Sequence, residues 1–323
     1  MAIETGTATN YLDFWNKLIS FLTTNTTLVA AGQQWSTVWT APTGAPNLTD
    51  RVLKGPGLAG EDAVYIGLRL VSDVAADRFA IHMTGMTGVL SGATQYDAHT
   101  NCPATSVRMF LGNTPMTYWF VANGRRFIAV AKVSTVYEAM YGGLILPYSP
   151  PSSYPYPLFI GGTAGETSAS VDWRSVTADH SMFHLPRMSA SIPTPAWLLD
   201  PTGSWQACGD EGSSNQSIKI APDTYFAQAA TLGASFGNSY YGYKEMKDRI
   251  GPAYGGQYTL TPFTLIQGSP TIQTYGVLHG AYHVPGRGNS AENIVSYNGV
   301  NHLVLQNVYD TSIGEYLAIA LEA

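Results

Sequence analysis

Residues Met116–Val133 read MTYWFVANGRRFIAVAKV, and this stretch decides the fold class. Two runs rich in β-branched and aromatic residues, Met116–Ala122 and Arg125–Val133, lie on either side of Asn123-Gly124. Runs of this composition favour strands. Asn-Gly accepts the positive φ angles of a type I′ turn. The stretch therefore predicts a β-hairpin.

Strand-like segments recur along the rest of the chain. Val136–Leu146 follows the hairpin at once and would extend it, and Asn298-Gly299 repeats the hairpin signal. The remaining predicted strands are Trp35–Thr40, Asp62–Val71, Arg78–Met83, Tyr258–Gln267, Thr274–Val284, Glu292–Tyr297, Val300–Val308 and Glu315–Glu322. No βαβ alternation is present. We predict a mainly β fold of antiparallel strands, sandwich or barrel-like, with long loops.

One amphipathic helix is predicted near the N-terminus. Its apolar face follows the i, i+3, i+4, i+7 rule and consists of Tyr11, Phe14, Trp15, Leu18, Ile19 and Leu22. Thr9 or Asn10 can cap it, and the segment Thr23–Thr27 ends it. The face must dock either on the chain's own sheet or on a neighbouring subunit.

Pro147–Pro157 contains five prolines, which fix φ and remove backbone donors, so a regular strand or helix is excluded. We predict an extended arm of prolines and tyrosines that lies on a surface. The small, polar segment Gly161–Ser170 is the best candidate boundary. Residues 1–162 would form the helix and a β domain ending in the arm. Residues 163–323 would form a loop-rich segment and a C-terminal β domain, unless both are one domain.

The chain is unusually poor in charge. Charged residues make up 12% of the 323 residues, about half of the roughly 25% in ordinary soluble proteins. The sequence also holds 20 Tyr, 11 Phe, 7 Trp and 9 Met. Interface cores are depleted of charge and enriched in these residues. The composition indicates a subunit covered by neighbours, and a lone domain of low charge is the alternative.

Several function classes are disfavoured. Net charge is −6 and Arg125-Arg126 is the nearest approach to a basic cluster, so direct nucleic-acid binding is not expected. No apolar stretch approaches the roughly 20 residues that span a bilayer. Met1–Glu4 lacks the features of an export signal, so synthesis in the cytoplasm is expected. Cys102 and Cys208 lack metal or redox spacing and are either free and buried or joined in one bridge.

The segment Gly233–Gly237 matches the nucleophile-elbow pattern G-x-S-x-G, with Ser235 at its centre. The elbow requires a buried strand before the serine and a helix after it. The preceding segment Gln228–Leu232 is only weakly apolar, so a glycine-rich loop is the better interpretation. We expect no catalytic residues and no cofactor.

Two histidine pairs, His180/His184 and His279/His283, have the spacing that chelates zinc on a helix. Neither has the Glu that a metalloprotease motif requires. The second pair lies in a predicted strand, where residues four apart share a face but stand about 13 Å apart. No metal site is therefore expected.

Tyrosines in loop-like sequence can contact a protein neighbour or stack on sugars. They are Tyr148, Tyr154, Tyr156, Tyr240, Tyr241 and Tyr243. A protein interface is the plainer interpretation. The candidate assembly contacts are Tyr11, Phe14, Trp15, Tyr148, Tyr154 and Tyr156.

Three parts of the chain together resemble a family. The middle part runs through Thr117–Glu138 and Tyr141–Leu144 and closes with Tyr154–Gly162. The C-terminal part comprises Glu292–Val295, His302–Tyr309 and Glu315–Glu322, and the opening part comprises Gly6–Asn10 and Asp13–Leu18. These segments, about half the chain, are similar to virion structural proteins of tailed bacteriophages.

The resemblance implies a multi-copy component of the virion. Its partners would be copies of itself, as a homo-oligomer, and other virion proteins. A tail-associated position at the neck, collar or baseplate is expected, because nothing indicates the long helix and extended loop of the common capsid shell. The alternatives are a receptor-binding module for host-surface glycan and, after that, a serine hydrolase at Ser235.

Overall fold

The structure, a computed structural model, describes residues 1–166, 172–174, 180–186, 194–209, 218–222, 252, 256–267, 273–308 and 314–321. The fold is mainly β, as predicted. The helices are α1 (Tyr11–Thr24) and α2 (Thr26–Ala30). The strands are β1 (Ala2–Ala8), β2 (Ser36–Thr40), β3 (Arg51–Gly55), β4 (Val64–Asp73), β5 (Arg78–Met86), β6 (Val107–Leu111), β7 (Met116–Ala122), β8 (Arg126–Val133), β9 (Val136–Leu144), β10 (Leu146–Pro147), β11 (Leu158–Gly161), β12 (Ala164–Gly165), β13 (Ala196–Leu199), β14 (Trp205–Ala207), β15 (Ile218–Ala221), β16 (Thr261–Gln267), β17 (Gln273–Val284), β18 (Ile294–Tyr297), β19 (Val300–Leu305) and β20 (Tyr316–Ala320).

The strands form three antiparallel sheets. The central sheet has the order β1-β7-β8-β9-β11-β13-β14, and the second sheet has the order β12-β6-β5-β4-β3-β2. The third sheet has the order β15-β16-β17-β20-β19-β18, and β10 also pairs with β17. One face of the central sheet packs against the second sheet and α1, and the other packs against the third sheet. Strands β13 and β14 follow residue 162, so the two predicted domains share the central sheet.

The central hairpin is confirmed, and its burial explains its composition. Tyr118 and Phe120 on β7 belong to the core shared with the second sheet, while Trp119 and Val121 belong to the core shared with the third. A strand buried on both faces carries an uninterrupted apolar run instead of an alternating one.

The predicted N-terminal helix is confirmed as α1. The Asn10 side chain caps it by accepting hydrogen bonds from the backbone N–H groups of Leu12 and Asp13, both at 3.0 Å. Phe14 packs edge-on against Phe120 with ring centroids 5.1 Å apart. The apolar face therefore docks on the chain's own sheet. A second, short helix, α2, begins directly after Asn25 and was not predicted.

The two Asn-Gly turns differ in conformation. Asn298 and Gly299 have φ angles of 51° and 78°, in agreement with a type I′ turn. Neither Asn123 nor Gly124 has a positive φ, so the type I′ prediction is wrong there. Gly124 instead lies against the backbone carbonyl of Gly57, which a Cβ would overlap. Glycine is required there for close approach.

Candidate functional site

The three candidate contacts on α1, Tyr11, Phe14 and Trp15, pack against the chain's own core. Phe14 and Trp15 are buried, and Tyr11 stacks on Phe79 with ring centroids 4.0 Å apart. The guanidinium of Arg51 lies over the Trp15 ring at 5.0 Å from its centroid. These packing contacts leave little of the three side chains for a neighbouring subunit.

The three candidate contacts in the proline arm divide into two kinds. The Tyr154 hydroxyl donates to the carbonyl of Leu199, and the Tyr156 hydroxyl donates to the carbonyl of Ala63, so both rings are fixed to the chain itself. Tyr148 is 60% exposed. The arm therefore lies on the molecule's own surface and presents Tyr148 to the outside.

Strand β2 is an edge strand of the second sheet. Its sequence, STVWT, contains no charged residue, and Val38 is exposed. Edge strands offer unpaired backbone groups, and isolated proteins usually protect them with charge or proline. The uncharged edge of β2 is therefore suited to contact with a neighbour.

A cleft of about 650 Å³ lies between the β7–β8 turn and the third sheet. Its polar lining includes Arg126, His279, Tyr282, Tyr297 and His302. These side chains come from β8, β17, β18 and β19, and no sequence pattern groups them. One sequence feature could have pointed to the cleft: Arg126 stands at the start of a strongly apolar strand.

Arg126 forms the floor of the cleft, and its side chain is fully buried. Its Nη2 donates to the Met1 sulfur at 3.0 Å, while Nε and Nη1 have no acceptor among the described residues. Burial lowers the pKa of the guanidinium. No Asp or Glu belongs to the cleft lining in the described part of the chain. The result is a buried cation without a carboxylate partner in those residues.

A bulge in β17 shapes the wall next to Arg126. Pairing with β16 shifts between Pro262 and Thr264, and residues 278–281 of β17 bulge at this point. Gly280 has a φ of 76°, and a Cβ there would overlap the Arg126 guanidinium. The cleft therefore depends on a glycine at this position.

The same bulge changes the orientation of the second histidine pair. His279 lines the cleft, whereas His283 is buried with Nε2 3.0 Å from the carbonyl oxygen of Gly314. The prediction that His279 and His283 share one face is wrong, because the bulge interrupts the alternation between them.

Aromatic side chains form another part of the cleft lining. Tyr282 and Tyr297 pack edge-on against His302, with ring centroids 5.2 Å and 6.4 Å apart. Burial lowers the pKa of His302. Burial, and next the positive charge of Arg126, lowers the pKa of His279 to about 3. Arg126 thus contributes a buried, charged side chain to the described lining.

The two residues of the first histidine pair, His180 and His184, also contact different parts of the chain. His180 Nε2 lies 2.8 Å from Glu138 Oε1, and both side chains are fully buried. His184 packs against Phe263. Among the described residues, no three His, Cys, Asp or Glu side chains are placed to hold one metal ion.

A polar cluster that was not predicted joins β5, β6 and the end of β12. Ser106 Oγ donates to Glu166 Oε2 at 2.6 Å, and His82 Nδ1 lies 3.5 Å from Glu166 Oε1. Hydrogen bonding from His82 contributes most to lowering the pKa of Glu166 to about 2. The carboxylate lies between serine and histidine, whereas in a nucleophilic triad the histidine lies between the other two. The cluster links strands and does not form a triad.

Some predicted features lie outside the described residues. They are the Gly233–Gly237 motif with Ser235, and the tyrosines Tyr240, Tyr241 and Tyr243. The two cysteines are described and are unbridged: Cys208 is buried, while Cys102 is only partly buried.

The chain is a mainly antiparallel β protein with three packed sheets. Its cleft has the guanidinium of Arg126 at the base. No protein-family model matches the chain. No match was found among curated proteins either. In the part of the chain that the structure describes, no helix is long and apolar enough to cross a membrane.

Proposed function

We propose that the chain is a structural subunit of a tailed-phage virion, tail-associated at the neck, collar or baseplate. The observation that carries the proposal is the low charge: 16 basic and 22 acidic residues in 323. Such a surface is suited to burial by neighbouring subunits. The virion assignment itself rests on the resemblance of the three segment groups described above. No catalytic step belongs to this proposal.

The exposed apolar side chains indicate where neighbours would bind. Leu146 and Tyr148 are two residues apart at the start of the proline arm, and both are exposed. Val38 is exposed on the uncharged edge strand β2. Large exposed apolar groups of this kind mark interaction sites when they lie together. The arm and the β2 edge are the proposed assembly surfaces.

Substitution at Tyr148 tests the arm. We expect Tyr148→Lys to shift the purified chain toward monomer in sedimentation velocity, because a charge at an interface core is strongly disfavoured. Tyr148→Phe, which keeps the ring, is the matched control and should sediment like wild type. A wild-type chain that is monomeric at all concentrations, and is unaffected by Tyr148→Lys, would contradict the proposal.

The second candidate function is a receptor-binding module for host-surface glycan, and the exposed Tyr148 ring favours it because aromatic rings stack on sugars. Saturable binding of fluorescently labelled protein to host cells would support it. Absence of binding at high concentration, together with association into oligomers, would favour the structural role.

A further inference from the structure

We propose that the cleft around Arg126 binds a small molecule, or the end of a larger one, that carries a carboxylate or phosphate group on a ring or aliphatic body. Such binding does not require that the chain belong to a virion.

The unpaired guanidinium indicates the charge of the ligand. A guanidinium removed from water is destabilised unless acceptors satisfy its N–H groups. In Arg126, Nη2 has only the Met1 sulfur, a weak acceptor, and Nε and Nη1 have none among the described residues. Carboxylates and phosphates engage a guanidinium through two parallel hydrogen bonds. An oxyanion that displaces the Met1 sulfur supplies both the acceptors and the negative charge.

The backbone around Arg126 holds this group in place. The Asn123 side chain accepts hydrogen bonds from the backbone N–H groups of Arg125 and Arg126, at 2.9 Å and 3.0 Å, which fixes the start of β8. The missing side chain at Gly280 leaves the space that the guanidinium occupies. Bulges such as this one are common beside binding sites. The cation is therefore positioned by two separate strands.

The rest of the lining indicates the body of the ligand. Leu260 and Val300 contribute apolar surface, and Tyr282 and Tyr297 contribute aromatic rings. A volume of about 650 Å³ lies within the roughly 300–1,000 Å³ of small-molecule sites. A buried guanidinium beside aromatic rings and aliphatic side chains favours an amphipathic anion over a bare inorganic ion.

Titration with three probes that share a phenyl ring tests the proposal. The probes are benzoate, phenyl phosphate and the neutral benzyl alcohol, and calorimetry or saturation-transfer NMR measures binding. We expect saturable binding of at least one anion. Benzyl alcohol should bind about tenfold or more weakly, because it lacks the charge-assisted hydrogen bonds. The comparison of benzoate with phenyl phosphate distinguishes a carboxylate site from a phosphate site.

Variants connect the binding to Arg126. Arg126→Met keeps much of the side-chain length and should abolish anion binding. Arg125→Met is the matched control, because the Arg125 guanidinium pairs with Glu61 and Asp62 and does not line the cleft. Arg126→Lys keeps the charge but loses the planar fork, so it should bind more weakly than wild type. If near-UV circular dichroism shows that Arg126→Met has not folded, anion binding by Arg126→Lys is compared with wild type instead.

Three results would overturn the proposal. They are saturable binding of neither anion, benzyl alcohol binding as tightly as the anions, and unchanged anion binding by the folded Arg126 variant. Thermal denaturation without probe adds an independent readout. The Tm of Arg126→Met should equal or exceed that of wild type, because an unpaired buried charge is removed.

Discussion

At the scale of single residues, the two Asn-Gly pairs show what sequence reasoning captures and what it cannot. Both pairs occur between strands, as predicted. Only Asn298-Gly299 has the conformation for which the dipeptide is favoured. Gly124 is needed because Gly57, which is distant in sequence, approaches it closely. Local propensity contains no information about such an approach.

The two glycines should therefore respond differently to alanine. We expect Gly124→Ala to lower the free energy of unfolding by about 3 kcal/mol or more, because its Cβ overlaps backbone. Gly299→Ala meets open space and should lower it by only about 1 kcal/mol, the strain of a positive φ. Chemical denaturation measures both values. Equal losses in the two variants would contradict this account of Gly124.

His279 gives a pH prediction with a definite sign. Its pKa is about 3 in the folded chain, mainly through burial, against about 6.5 when unfolded. The unfolded state therefore binds the proton more readily, so the contribution of His279 to stability is constant above about pH 6.5 and falls as the pH decreases below it. For this partly buried group the loss by pH 4.5 is about 2 kcal/mol at most. His279→Gln should reduce the acid sensitivity in urea denaturation, and an unchanged pH profile would contradict the assignment.

At the scale of elements, hydrophobic periodicity identified α1 and the strongly apolar strands. Val64, Ile66, Leu68 and Leu70 of β4 lie in one core, as their alternation predicts. Strand β1 was missed because its inward residues, Ala2 and Ala8, are small and give little apolar signal. Strand β5 continues beyond its predicted end at Met83 to Met86, since Gly85 is packed against Trp205 and Leu158. Glycine there reflects tight packing and does not end the strand.

The docking of α1 predicts that its apolar residues act on stability. Phe14→Ala should lower the free energy of unfolding by about 3–5 kcal/mol, because the side chain is fully buried against Phe120. Leu12→Ala, on the exposed face of the same helix, is the control and should have little effect. Thermal denaturation compares the two. A stable Phe14→Ala chain that has lost only its oligomers would instead place this face at a subunit interface.

At the scale of the whole molecule, the strand-like segments predicted a mainly β fold but could not predict how the sheets meet. The cleft combines the β7–β8 turn with residues of β16–β19, and it depends on a bulge that no local pattern indicated. The predicted contact residues are large aromatic side chains. Most of them are buried by the chain's own sheets, because periodicity reports burial and does not identify the partner.

We propose that the chain is a component of the virion, and intact phage particles offer the sharpest test. Immunogold labelling with an antibody raised against the purified chain reports both its presence and its position. We expect gold at a fixed tail-associated position on most particles, and none after the antibody has been absorbed with the purified chain. Absence of the chain from intact and dissociated particles alike, although the antibody recognises it in the lysate, would contradict the virion assignment.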